Sequence, residues 1–242
     1  MLSVPRKLLK AIVFEGLDEF ISDTGLLSNN QWGFRAGRST DGLLIHLTET
    51  WKQALDNRQV VGVVYIEIQM AFDKISHTIL KYKLEAIGIR GDLLNWMISY
   101  LTNRKQFAIV NGCTSQTRNV CCGVPQGSLL GPRFFSYYVK YLPEAGNEGE
   151  LAMYADDTTL SVVGDNVEVV IDKSNKALAS INLWCRNNKL AIHTGKSEAM
   201  ILTHKPFCGP LKPDMLGNKV LDFVTQTKCL EIITDNQLSW LS

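Results

Sequence analysis

The chain has 242 residues, with 25 Lys and Arg against 24 Asp and Glu, 45% apolar and 20% charged residues, and a formal net charge of +1. This is an ordinary globular balance that excludes a disordered or fibrous chain and supports one large domain or two small ones. No apolar run approaches the roughly 20 residues of a bilayer span, and the opening "MLSVPRKLLKAIVFEGLDEFI" scatters charge through its apolar positions, unlike a signal peptide; a soluble intracellular protein is expected, nuclear or cytoplasmic and not secreted, with no membrane partner.

In chain order, Leu9, Ile12, Val13, Leu17, Phe20 and Ile21 fall at helical spacing and predict a core-packed amphipathic helix. "GLLSNNQWGFRAGRST" is rich in Gly, Ser and Asn and reads as a loop. A helix follows over Asp41–Asn57, then a buried β-branched strand over Val60–Ile68. "HTILKYKLEAIG" and "GDLLNWMISYLTN" have helical spacing. "KQFAIVNG" and "QTRNVCCG" read as a hairpin around Asn111-Gly112. "GVPQGSLLGPRFFSYYVKYLP" is a glycine- and proline-bounded turn entering a helix. A hairpin is expected over Leu151–Val163, a helix over Asn166–Asn188, and strands at "SEAMILT" and "KVLDFV". Strands and helices in non-alternating order predict an α+β sheet domain.

The six cysteines contain no C-x-x-C pair, and the four histidines complete no zinc pattern, so free thiols are expected. Charge is unevenly spread. Leu80 to Lys140 holds eight cations (Lys81, Lys83, Arg90, Arg104, Lys105, Arg118, Arg133 and Lys140) and two acids. Tyr141 to Asp172 holds eight acids and no Lys or Arg. The first segment suits a polyanion and the second suits cations, although both are also compatible with ordinary solvated faces.

"LAMYADDTTLSVV" poses the sharpest chemical question. Asp156 and Asp157 sit side by side between two apolar runs, where their charges repel. A plain hairpin turn is better served by Asn-Gly or Asp-Gly. A divalent metal ion is one answer, because Mg²⁺ takes a few carboxylates together with substrate phosphates. Two-metal phosphoryl transfer clamps ions roughly 3.5–4 Å apart and needs a further acid from a neighbouring strand. Glu67, at the end of the strand in "YIEIQMAFDKI", can supply it. A solvated turn is the alternative reading of the aspartate pair taken alone.

Six segments in order resemble the reverse transcriptase domain of non-LTR (LINE-type) retrotransposons, over nearly the whole chain. They are "QWGFRAGRST", "YIEIQMAFDKI", "NRKQFAIVNG" with "CGVPQGSLLGP", "YADDT", "NLWCRNNKLAIHTGKSEAMIL" and "TKCLEIITDNQLSW". The resemblance implies a polymerase palm, an antiparallel sheet packed on helices, with partial fingers and no thumb. It implies one domain fragment over 1–242: partial fingers at 1–59, palm core at 60–204, and the end of the palm with the primer grip at 205–242. RNA template, DNA primer and deoxynucleoside triphosphates are the implied partners; protein partners are open.

The resemblance also implies roles. Asp156, Asp157 and Glu67 hold two Mg²⁺ ions, with Mn²⁺ as the alternative metal. Gln126 and Gly127 contact the incoming nucleotide. Phe72, with Ala71 beside it, lies under the sugar and excludes a 2′-hydroxyl, or else is a core phenylalanine. Lys196 protonates the pyrophosphate or pairs with phosphate. Arg35 and Arg38 contact template phosphates or pair with acids on the fold surface, and Arg104 and Lys105 lie in the basic segment that grips nucleic acid.

The chain departs from the family at three places. Glu67 stands where the family has Asp, Lys140 and Tyr141 where Asn and Asp are common, and Glu231 where it has a glycine. An added charge at Glu231 is costly if buried. The expected function is RNA-directed DNA polymerase, truncated and impaired. A catalytically inactive nucleic-acid-binding remnant is the alternative, and another palm-fold nucleotidyl-transfer enzyme explains fewer of the motifs.

Overall fold

The computed structural model describes residues 12–13, 15–17, 20, 25, 27–125, 127–204, 215–216 and 219–239. The elements run α1 (Thr40–Asp56), β1 (Val60–Glu67), α2 (His77–Ala86), α3 (Gly91–Leu101), β2 (Arg104–Gln106), β3 (Ile109–Val110), β4 (Cys113–Thr114), β5 (Arg118–Val120) and α4 (Gly131–Tyr138). After a 3₁₀ turn at Pro143–Ala145 come β6 (Glu150–Tyr154), β7 (Asp157–Gly164), α5 (Val167–Asn187), β8 (Glu198–Leu202), β9 (Met215–Leu216), β10 (Lys219–Val220), β11 (Asp222–Phe223), β12 (Gln226–Cys229) and β13 (Ile232–Asp235). No helix among the described residues is long and apolar enough to cross a membrane. The described cysteines Cys113, Cys121, Cys122, Cys185 and Cys229 are free thiols.

Two compact units interleave along the chain: 1–27 with 70–139, and 28–69 with 140–242. The second is built on a five-stranded sheet in the order β11-β8-β1-β7-β6. β1 runs antiparallel to both β7 and β8, β6 is antiparallel to β7, and β11 alone is parallel to its neighbour β8. Central β1 is apolar on both faces because helices cover both, as its uninterrupted β-branched run requires. Leu43, Leu47, Trp51 and Leu55 recur at helical spacing on α1 and pack on Val61 and Val63 of β1 and Met200 and Leu202 of β8. On the other face Val60 meets Val167, Val170 and Ile171 of α5. A Cβ at Gly62 would stand 2.4 Å from Val170 Cγ1, so close approach of α5 to the sheet requires glycine there. Both helices start at side-chain caps: Ser39 Oγ accepts from Gly42 N–H at 3.0 Å and Asn166 Oδ1 from Val169 N–H at 2.9 Å.

The other unit joins α2, α3 and α4 around buried Leu80, Leu84, Met97, Leu101, Phe134 and Phe135. Its two short ribbons are β2–β5 and β3–β4. The β3–β4 hairpin turns on Asn111-Gly112, whose φ angles of 50° and 79° are the left-handed pair that Asn-Gly favours. "KVLDFV", expected as one strand, is divided between β10 and β11 at buried Leu221.

Candidate active site

The carboxylates are positioned by the β6–β7 hairpin. Tyr154 pairs with Asp157, leaving a two-residue turn of Ala155 and Asp156. Ala155 has φ +57°, at the first central position, where a tight hairpin of this kind prefers glycine. An L-residue there costs about 1–2 kcal/mol. Across the sheet the register pairs Asp157 directly with Glu67 at the end of β1. Directly paired residues share a face. By strand alternation this is the face of Val61 and Val63, which carries α1.

The loop after α5 docks on the end of β1. His193 N–H donates to Glu67 O at 2.8 Å, Gln69 N–H to Ala191 O at 2.8 Å, and Glu67 N–H to Ser197 Oγ at 3.1 Å. Lys196 is thereby brought to Glu67, with Nζ 3.3 Å from Oε1. Tyr65, Glu198, Thr227 and Cys229 line the same cleft as Glu67, Asp157 and Lys196. Sequence reasoning missed these four. Tyr65 was accessible to it, because it lies two residues from Glu67 on one strand face. Glu198 was not, since only the β1–β8 register places it opposite Tyr65. The Thr227 hydroxyl donates to the Glu198 carboxylate.

The electrostatics are those of a site short of positive charge. Asp157 is open to solvent on its outer side, yet its carboxyl is held above the ordinary carboxylate range. Burial against neighbouring atoms is the largest cause, followed by the charges of Asp156, Glu67 and Glu231. Cys229 is pushed up to about 11, first by burial and then by the charge of Asp157. The carboxylate oxygens of Glu67, Asp156 and Asp157, with only Glu67 of the three paired to a cation, Lys196, among the described residues, are the donor type a divalent cation takes. Among the described residues no three acids, histidines or cysteines are gathered closely enough to hold an ion on their own. Lys196 engages one oxygen of Glu67, so substrate phosphates and water would complete any ligand set.

The remaining expected site residues are distributed as follows. Ala71 is buried, and half-buried Phe72 stacks on Phe135 with ring centroids 4.8 Å apart. Gly127 has φ +69° and open space where a Cβ would stand, while Gln126 lies outside the described residues. These positions belong to the first unit, whereas the carboxylates belong to the second. Arg35 Nη1 donates to Ser28 O at 2.9 Å, and Arg38 Nη1 donates to Asn29 O at 2.6 Å while its guanidinium lies over the Trp32 ring. Both arginines therefore make contacts that hold their own loop. Strand alternation puts Arg104 and Arg118 on one face of the β2–β5 ribbon and Lys105 on the other. Arg133, counted above among the cations facing a polyanion, is corrected: it is buried on α4 at 7% exposure. Lys83 also turns inward, donating to Tyr138 O.

At Glu231 the condition for a buried-charge cost is not met. Its side chain is 87% exposed and pairs with Lys228, so no charge is buried there. The departure from glycine acts on the backbone instead. Leu230 and Glu231 form the two-residue turn between β12 and β13, with φ angles of 47° and 70°. Glycine tolerates that region freely. Glu231→Gly should raise unfolding stability by about 1 kcal/mol and Tm by about 2–4 °C, as measured by denaturant and thermal unfolding. An unchanged midpoint would mean that the turn carries no strain.

A family model described as reverse transcriptase (RNA-dependent DNA polymerase) matches residues 1–236. The chain belongs to the reverse transcriptase family. The probable RNA-directed DNA polymerase from transposon BS of Drosophila melanogaster is 28% identical over 99% of this chain and 27% of its own length. The RNA-directed DNA polymerase from mobile element jockey of Drosophila funebris is 25% identical over 97% of this chain and 26% of its own. These homologues are non-LTR retrotransposon polymerases, and this chain spans about a quarter of their length. Among solved structures, apo telomerase from Candida tropicalis matches with a TM-score of 0.57 at 12% identity, covering 96% of this chain and 39% of its own. Telomerase from Candida albicans, in complex with a fragment of telomeric RNA, matches with a TM-score of 0.56 at 12% identity, covering 94% of this chain and 38% of its own. The structural likeness supports the fold: an α+β palm whose central sheet is packed on helices. Reverse transcriptases work with divalent metal ions.

Proposed function

We propose that this reverse transcriptase domain catalyses RNA-templated transfer of deoxynucleotides to a primer 3′-hydroxyl. The observation that carries the reading is the register that sets Glu67 opposite Asp157, one residue from Asp156 at the hairpin tip. The three carboxylates would hold Mg²⁺, which when bound activates the hydroxyl and neutralises charge on the triphosphate. The residues of the chain do the positioning. The tight turn keeps Asp156 and Asp157 adjacent, and the Asp157–Glu67 pair spans two strands of one rigid sheet. Lys196, whose Nζ lies 3.3 Å from Glu67 Oε1, is proposed to donate a proton to the pyrophosphate leaving group or to pair with phosphate. Primer extension on an RNA template with deoxynucleoside triphosphates tests the reading. Template–primer binding without extension would support the inactive-remnant alternative, which the Lys196–Glu67 pair favours because it ties up one expected ligand.

Phe72 and Ala71, with Gln126 and Gly127, are proposed to form the nucleotide subsite. Phe72→Ala should raise ribonucleotide relative to deoxyribonucleotide incorporation by about tenfold, because removing the ring opens room for a 2′-hydroxyl. An unchanged ratio with lower stability would return Phe72 to its stack on Phe135 as a core residue.

Arg104, Lys105 and Arg118 are proposed to contact the nucleic-acid backbone, as are Arg35 and Arg38 if phosphate draws them from their loop carbonyls. Template–primer affinity should fall roughly 10- to 50-fold between about 50 and 200 mM salt, as about three phosphate contacts require, with little sequence preference. Salt-independent binding in a filter or anisotropy assay would remove these residues from the interface.

A further inference from the structure

Gln31 is a polar side chain only 1% exposed, in the middle of a loop. Two of the three bonds of its carboxamide go to one neighbour far along the chain. Oε1 accepts from Ala155 N–H at 3.0 Å and from Gly33 N–H at 2.9 Å, and Nε2 donates to Ala155 O at 3.1 Å. The amide therefore grips both backbone groups of Ala155, the first of the two residues that turn the aspartate hairpin. Its orientation is dictated by its partners, since the flipped amide would face two N–H donors with its own NH₂.

The surrounding loop reinforces the grip. Trp32 N–H donates to Met153 O and Met153 N–H donates to Asn30 O, each at 2.7 Å, so residues 30–32 run beside β6 and cover the edge of the sheet. Asn30 Nδ2 adds a bond to Leu151 O at 2.8 Å. At Gly33 a Cβ would stand 2.3 Å from Ala155 N, so glycine is what lets the loop come this close. Ala155 meanwhile occupies a left-handed φ of +57°, which alanine does not adopt unaided. Such strain persists only when surrounding structure over-determines it.

We infer that Gln31 is a positioning residue for the active site: its carboxamide holds Ala155 in the left-handed turn and thereby aims Asp156 and Asp157. The metal-binding consequence rests on the proposed function, whereas the clamp itself does not. Gln31 acts through the backbone and touches neither carboxylate.

The test compares the natural 242-residue chain with Gln31→Met, Gly33→Ala, and Gln31→Met combined with Ala155→Gly. Methionine keeps the length and apolar bulk of the side chain while removing all three bonds. Two quantities are measured: amide exchange at Ala155 against amides of β1, and Mn²⁺ affinity by electron paramagnetic resonance. The expected result is a loss of at least about tenfold in Ala155 protection in Gln31→Met, with β1 protection retained, and Mn²⁺ affinity weakened by a similar factor. Ala155→Gly should restore most of the Mn²⁺ affinity in that background, because glycine adopts the turn without a clamp. A merely structural role for Gln31 predicts no such rescue. If Gln31→Met does not fold, Gly33→Ala decides by the same two readings, since its Cβ would push on Ala155 N and crowd Gln31 Oε1. Unchanged Ala155 protection in the folded variant overturns the clamp, and Mn²⁺ affinity that falls without rescue overturns the positioning role. A natural chain that binds no Mn²⁺ defeats the proposed function and with it the aiming of the aspartates, while Ala155 protection still decides the clamp.

Discussion

Asp156→Asn is expected to lower primer extension by at least about 100-fold, the scale on which a lost electrostatic group acts on a transition state, while making the folded chain more stable. The two effects have one cause. The carboxyl of Asp157 is held above its ordinary range by burial and then by the charge of Asp156. An acid whose folded pKa is raised binds its proton more tightly in the folded state, so stability falls as pH rises through the window from the ordinary carboxylate range up to the raised value. Above the raised value that loss is complete. Replacing the Asp156 charge by a neutral amide relieves part of it. A variant that is inactive but melts higher at pH 7, with the gain shrinking toward acid pH, cannot be dismissed as misfolded. The measurements are extension on an RNA template and Tm across pH. Full activity in Asp156→Asn would remove the hairpin from catalysis, and a lower Tm at pH 7 would contradict the charge repulsion at the tip.

Glu67→Asp is expected to raise extension by at least about tenfold. Glutamate reaches further than aspartate by on the order of 1 Å, and a misplacement of that size can cost on the order of 100-fold in rate. The register gives this argument a fixed geometry. Glu67 lies directly across from Asp157 at the end of β1, and its backbone is tied on both sides, by Ser197 Oγ at N–H and His193 N–H at the carbonyl. The strand end therefore has little freedom to retreat and absorb the extra methylene. The longer side chain also reaches Lys196. The shorter carboxylate would weaken that pair and be freer to ligate. Single-nucleotide incorporation at saturating Mg²⁺ by the two forms of this chain decides the matter. If the aspartate form is no faster, Glu67 is not a misplaced ligand. If both forms are inactive, the turn at Leu230 and Glu231 is the next place to look.

Much of this chain was legible without a structure, because local rules govern it. The helix expected over Asp41–Asn57 is α1, the β-branched run marked β1, and Asn111-Gly112 marked its hairpin. The aspartate pair between two apolar runs marked the β6–β7 turn, and six ordered segments pointed to the reverse transcriptase family. Tertiary structure alone decided what those elements do to one another. A one-residue slip would turn Glu67 away from Asp157, and nothing in either strand's own pattern sets that register. Burial inverted the reading of Arg133, and exposure removed the condition attached to Glu231, since charge counts along a chain do not say which way a side chain faces. Gln31 was quoted within a motif but given no role, because its partner, Ala155, lies 124 residues away and its bonds are to backbone. Backbone groups are present at every position, so a sequence cannot mark which of them a side chain will hold; only the folded chain brings the two together.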